Sequence, residues 1–97
     1  MPALGEYVNV YSSALETLTS KGYQVWYDGE SELYCAEKNG WDFMAENPIS
    51  LLGLVAIYEA QAPQSYSEYW WRREGPDHTH LPNSPRPYTS VIATKGR

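Results

Sequence analysis

The stretch ELYCAEKNGWDFMAENP, residues 32–48, decides the fold. Residues 32–37 are rich in strand-favouring side chains, Lys38, Asn39 and Gly40 form a turn signal, and residues 41–45 resume with Trp41 and Phe43, so the segment predicts a β-hairpin. Two registers are possible. A three-residue loop with Gly40 in a left-handed bulge places Leu33 and Cys35 on one face with Trp41, Phe43 and Ala45. A two-residue loop instead sets Glu37 opposite Asp42. Collecting the apolar residues on one face favours the first register. Asn47 followed by Pro48 then signals a helix start, because the Asn side chain caps free N–H groups and Pro presets the first helical φ.

Downstream, this helix is expected to run from Pro48 to about Gln61 and to end before Pro63. Ile49, Leu51, Leu52, Leu54, Val55, Ala56, Ile57 and Tyr58 make it apolar nearly all round, which predicts a central buried element. Gly53 costs roughly 1 kcal/mol of helix propensity relative to Ala, and a close crossing at that point is the expected compensation. Upstream, residues 23–27 predict a first strand that turns at Asp28 and Gly29. Before it, Leu4, Tyr7, Val8, Tyr11, Ala14, Leu15 and Leu18 follow the spacing of one helix face, with Pro2 in the first turn and Gly22 as a left-handed stop.

Helix, three antiparallel strands and helix predict an α+β fold, with one sheet carrying its helices on one face. Residues 65–73 fit either a short helix or an extended segment. Beyond Gly75, Pro76, Pro82, Pro85 and Pro87 rule out a long regular element, and residues 88–94 are expected to add an edge strand. The 97 residues suit one domain, with a compact body at 1–75 and a proline-rich tail at 76–97.

The stretch 41–59, through Asp42, Phe43, Ala45, Asn47, Pro48, Leu51, Leu52, Gly53, Leu54 and Tyr58, resembles a segment of small uncharacterised bacterial proteins. The chain's size and acidity are similar to those of toxin-neutralising immunity proteins. The resemblance covers about a fifth of the chain, mostly core positions. It implies a bacterial binding protein and transfers no functional residue.

Charge is unevenly placed. Residues 1–71 hold ten acids against Lys21 and Lys38, a net charge of minus eight, whereas residues 72–97 carry plus three. An acidic body repels nucleic acid and attracts a basic protein partner; the plainer reading is a surface that keeps a small protein soluble. Cys35 is the only cysteine, which excludes an intramolecular disulfide and a cysteine-based zinc site and fits a reducing compartment. The N-terminus carries no secretory pattern, and residues 49–60 are too short to span a bilayer, so a cytoplasmic location and no membrane partner are expected.

Chemistry-bearing groups are sparse. Asp77, His78 and His80 are the nearest approach to a metal set, and a small metal-dependent enzyme using His78 and His80 is the alternative to a binding protein. A catalytic zinc needs about three protein ligands with supporting partners, so neither a metal nor another cofactor is expected. Cys35 lies among apolar strand neighbours, the setting of a buried hydrophobe rather than a nucleophile. No catalytic residues are assigned.

Two groups remain for partner binding. Asp28, Glu30 and Glu32 surround the first turn, with Asp42 and Glu46 on the expected outer side of the third strand. Tyr66, Tyr69, Trp70 and Trp71 form the second group. Trp70 and Trp71 are adjacent and cannot point the same way, so one is expected in the core and the other exposed. Exposed Trp and Tyr are preferred at binding hot spots, though the same residues could cap the core or mediate self-association. The sequence leaves the oligomeric state open.

Overall fold

A computed structural model describes residues 2–75, 77, 79 and 81–84. The chain divides into two compact units, Glu6–Trp71 and a second formed by Met1–Gly5 with Arg72–Arg97. Within the second, the described residues adopt mostly irregular backbone, and Asp77 accepts a hydrogen bond from the Thr79 N–H at 2.9 Å. His78, His80 and the expected strand at 88–94 lie outside the described residues.

The Glu6–Trp71 unit is α+β. One turn of 3-10 helix, Val8–Val10, leads into α1, Tyr11–Ser20. Three strands follow, β1 (Gln24–Asp28), β2 (Leu33–Lys38) and β3 (Trp41–Ala45), and then α2, Pro48–Gln61. The sheet is antiparallel throughout, in the order β1-β2-β3, so that among the described residues β1 and β3 are both edges. Among the described residues no helix is long and apolar enough to cross a membrane.

Helix ends follow local chemistry. The Asn47 side chain accepts a 2.8 Å bond from the Ser50 N–H, and Pro48 occupies the first turn, as expected. The far end closes with Ala62 in a left-handed conformation just before Pro63. Gly22, with φ +93°, stops α1. The start of α1 is a correction, since Leu4, Tyr7 and Val8 continue the apolar spacing but are exposed and precede the α-helix. Without tertiary burial of that face, spacing alone does not sustain a helix.

The hairpin register is the second correction. Asn39 and Gly40, with φ of 52° and 85°, form a two-residue left-handed turn that pairs Lys38 with Trp41 and Glu37 with Asp42. Such a turn matches the strand twist, and its local geometry overrides the apolar grouping in the three-residue alternative. Leu33 and Cys35 therefore lie on the opposite face from Trp41, Phe43 and Ala45.

The inner face carries Tyr23, Val25, Tyr34, Ala36, Trp41, Phe43 and Ala45, packed against Leu18 of α1 and Leu51 and Val55 of α2. Phe43 sits edge-on between Tyr23, at 6.0 Å, and Tyr58, at 5.2 Å between ring centres. The expectation of an all-round buried α2 fails. Pro48, Leu51 and Val55 are buried, whereas Leu54 is 38% and Ile57 45% exposed. A helix lying on one sheet face buries one stripe, and the unit has no third layer to cover the other side. Gly53 makes no close crossing either, since a Cβ there would meet nothing within 4 Å.

Candidate functional site

The sheet face turned away from the helices is the first element of the site. Strand alternation and the observed register place Trp26, Cys35 and Met44 in a row across all three strands. Trp26 is 45% and Met44 56% exposed, while Cys35 between them is covered by its neighbours. Acidic residues flank this row on both sides. On one side stand Gln24, Glu37 and Asp42, and on the other Asp28 pairs with Leu33. Burial pushes the Cys35 thiol above its ordinary pKa, and the negative charges of Asp28 and Asp42 push it the same way. The thiol is therefore held in its neutral form between two carboxylates.

Within the Glu6–Trp71 unit no cation pairs with those carboxylates. Lys21 and Lys38 are the only cations of the Glu6–Trp71 unit, and both are used on the helical side. Lys21 Nζ donates to Glu59 Oε1 at 2.7 Å in an ion pair. Lys38 Nζ donates to the Lys21 carbonyl at 2.8 Å and lies 5.1 Å from the centre of the Tyr23 ring. The outer face thus combines exposed apolar surface with negative charge that no cation of the Glu6–Trp71 unit meets.

The acidic residues expected at the first turn divide in role. Asp28 accepts from the Glu30 N–H at 3.0 Å and from the Ser31 hydroxyl at 2.9 Å, and these bonds, the Ser31 one foremost, hold its carboxyl below the ordinary pKa. It is part of the turn as well as of the charged surface. Glu30, Glu32 and Glu46 are exposed. Glu32 adopts φ 59°, and its N–H donates to the Asp28 carbonyl at 2.7 Å.

The second element is a cleft of about 830 Å³ beside β3. One wall is Gly40 of the turn and residues 41–44 of the edge strand; the others come from Leu54 and Ile57 of α2 and from the segment carrying Tyr66, Trp70 and Trp71. That segment is a turn rather than a helix, with Tyr69 at φ 56°. The Gln61 side-chain amide anchors it by donating to the Trp71 carbonyl at 2.9 Å.

Trp70 is half-buried against Trp41, 5.5 Å away edge-on, and Tyr58, whereas Trp71 is exposed, which answers the question their adjacency raised. Tyr66 packs 6.5 Å from Trp41, and the rings of Tyr69 and Trp71 meet edge-on. The aromatic cluster therefore runs from the core to the cleft.

Asp42 and Met44 belong to both elements, because they stand on the outer face and line the cleft. The structure brings Asp42 and the aromatic group to adjoining sides of β3, whereas Asp28, Glu30 and Glu32 stay at the β1–β2 turn and do not line the cleft. Trp26, Met44, Leu54 and Ile57 were not among the residues expected to bind a partner. The turn dipeptide Asn39-Gly40 was the signal that could have placed Met44 outside. Among the described residues no three His, Cys, Asp or Glu side chains gather as a metal-ligand set. No family model, curated protein or solved structure matches the chain.

Proposed function

We propose that the chain is a non-enzymatic binding protein of inhibitor or immunity type, which acts in the bacterial cytoplasm by neutralising a basic protein partner such as a toxin nuclease. The observation that carries this reading is the outer sheet face, where the exposed Trp26 and Met44 stand between the carboxylates of Asp28, Glu37 and Asp42, which pair with no cation of the Glu6–Trp71 unit. Desolvated aromatic and thioether surface supplies affinity, and the surrounding negative charge steers a basic partner and rejects nucleic acid. Met is well suited to such a surface because its flexible thioether adapts to the partner's contours.

Affinity capture on the full chain from host extract tests this, run in parallel with the double variant Asp42→Lys, Met44→Glu. The expected result is a basic protein held at low salt by the wild type, released as salt rises, and absent from the variant. The wild-type chain should suppress that protein's activity when the two are mixed. Identical captures by wild type and variant, or a captured protein whose activity is unchanged on binding, would overturn the proposal.

A further inference from the structure

Among the described residues the cleft beside β3 runs along an open strand edge, and the register identifies which backbone groups face it. A two-residue turn closes on a hydrogen-bonded pair, here Lys38 and Trp41, and pairs alternate from there. The pairs Ala36–Phe43 and Tyr34–Ala45 are therefore hydrogen-bonded as well, whereas Asp42 and Met44 turn their N–H and C=O groups away from β2. No bond to the Asp42 or Met44 backbone from any other described residue occurs outside the strand ladder. An aromatic and aliphatic wall stands across from this edge, formed by Leu54, Ile57, Tyr66 and Trp70.

Resting on the reading of the chain as a binder of a basic protein, we infer that the cleft takes an extended segment of that partner as a fourth strand on β3, one that alternates apolar with basic side chains. The backbone of Asp42 and Met44 supplies two donors and two acceptors, the main-chain recognition used in strand addition. Alternation sets the side-chain chemistry. A partner residue opposite Phe43 points inward, against Leu54, Ile57 and the aromatic wall, and must be apolar. Its neighbour opposite Asp42 points outward beside the Asp42 and Glu37 carboxylates, which no cation of the Glu6–Trp71 unit meets, and a Lys or Arg there completes the row. The residue opposite Met44 also points outward, and a Lys or Arg there lays its aliphatic stem along Met44 in the Trp26, Cys35, Met44 row while its charge stays on the acidic face. A second copy of this chain is the poorer occupant, since it would bring two bodies of net charge minus eight edge to edge.

The probes are short synthetic peptides added to the full chain: one alternating lysine with valine, the same peptide N-methylated on alternate amides, and versions with serine or glutamate in place of lysine. Binding is followed by calorimetry and by amide hydrogen exchange. The lysine peptide should bind and slow exchange at the Asp42 and Met44 amides, with little change at the Phe43 amide, which is already paired.

N-methylation of the amides that meet β3 removes backbone bonds and should weaken binding roughly fivefold or more. The glutamate peptide should not bind, and the serine peptide should bind about tenfold more weakly. Met44→Pro deletes an outward N–H without touching the β2 ladder and should weaken the lysine peptide similarly, and Asp42→Lys does so without any backbone change.

Absence of binding, binding indifferent to N-methylation, equal binding of the serine peptide, or protection elsewhere than at Asp42 and Met44 overturns the inference. The two proposals fail separately. A basic protein captured without protection at the β3 edge sinks the strand addition alone, whereas peptide binding at the edge with no basic protein captured sinks the neutralising function alone.

Discussion

Glu37 and Asp42 stand directly opposite one another across β2 and β3, two carboxylates on the sheet face that the helices leave open. Like charges in directly opposed positions are destabilising, and Glu37 is only partly occupied by accepting a 2.8 Å bond from the Gly40 N–H. The pair costs the fold stability while concentrating negative charge where a basic partner is proposed to dock.

Replacing Asp42 by Thr should separate those two effects. Relief of the opposed charges and the better strand propensity of Thr should leave the chain as stable or raise its stability by about 0.2 to 1 kcal/mol in urea unfolding. Association with the basic partner should slow, and its salt dependence should flatten, because steering charges are screened over roughly 8 Å at physiological ionic strength. A destabilised variant would mean that Asp42 has a structural partner in the fold.

Helix α2 should be sharply two-sided in energy. Leu51 is fully buried, and Leu51→Ala should cost about 2 to 5 kcal/mol. Leu54 borders the cleft at 38% exposure, so Leu54→Ala should cost no more than about 1.5 kcal/mol, from the methylene groups it does bury. Equal losses in chemical denaturation would show that both sides of α2 are packed.

Two glycines should respond in opposite directions to alanine. Gly40 holds φ +85° in the hairpin turn, and although a Cβ there meets nothing within 4 Å, the backbone conformation itself is unfavourable for alanine by roughly 1 to 2 kcal/mol. Gly53 lies inside α2 with equally open space around its Cβ, so Gly53→Ala should stabilise by about 0.5 to 1 kcal/mol. Thermal melts of the two variants should move to opposite sides of the wild type.

Stability should fall at both ends of the pH scale through one cluster. The buried Tyr23 hydroxyl donates to Glu59 Oε2 at 3.1 Å, and burial first, then this bond, pushes its pKa up to about 12. The unfolded chain loses that proton near the ordinary tyrosine value of 10.0, so the contribution is complete below about pH 10 and is lost as pH rises toward 12. Glu59 shifts the other way, its carboxyl held below the ordinary value by the Lys21 bond foremost. Its contribution is present above the unfolded value of 4.5 and is lost as pH falls through the lower folded one. Tyr23→Phe should flatten the alkaline limb and Glu59→Gln the acid limb of stability measured against pH, each with the other limb largely retained.

The sequence by itself determined the elements whose signals are local. Asn47 and Pro48 start α2, Pro63 follows its end, Gly22 stops α1, and Trp41–Ala45 is a strand with the expected bounds. These are fixed by backbone preferences of residues close in the chain, which hold wherever the segment ends up. The α+β class followed from their order. Facing was different. In β2, Leu33, Tyr34, Cys35 and Ala36 are apolar without alternation, so either side could have turned inward, and the two-residue turn at Asn39 and Gly40 together with the packing of Leu18, Leu51 and Val55 chose Tyr34 and Ala36. The same choice carried Trp26, Cys35 and Met44 to the open face. An apolar helix likewise says only that it can be buried, and whether Leu54 and Ile57 are covered depends on a further layer that the Glu6–Trp71 unit lacks. The acidic and aromatic residues were legible as types, but bringing Asp42 and the aromatic segment to the two sides of one strand edge required contacts between segments far apart in the chain, which only tertiary packing decides.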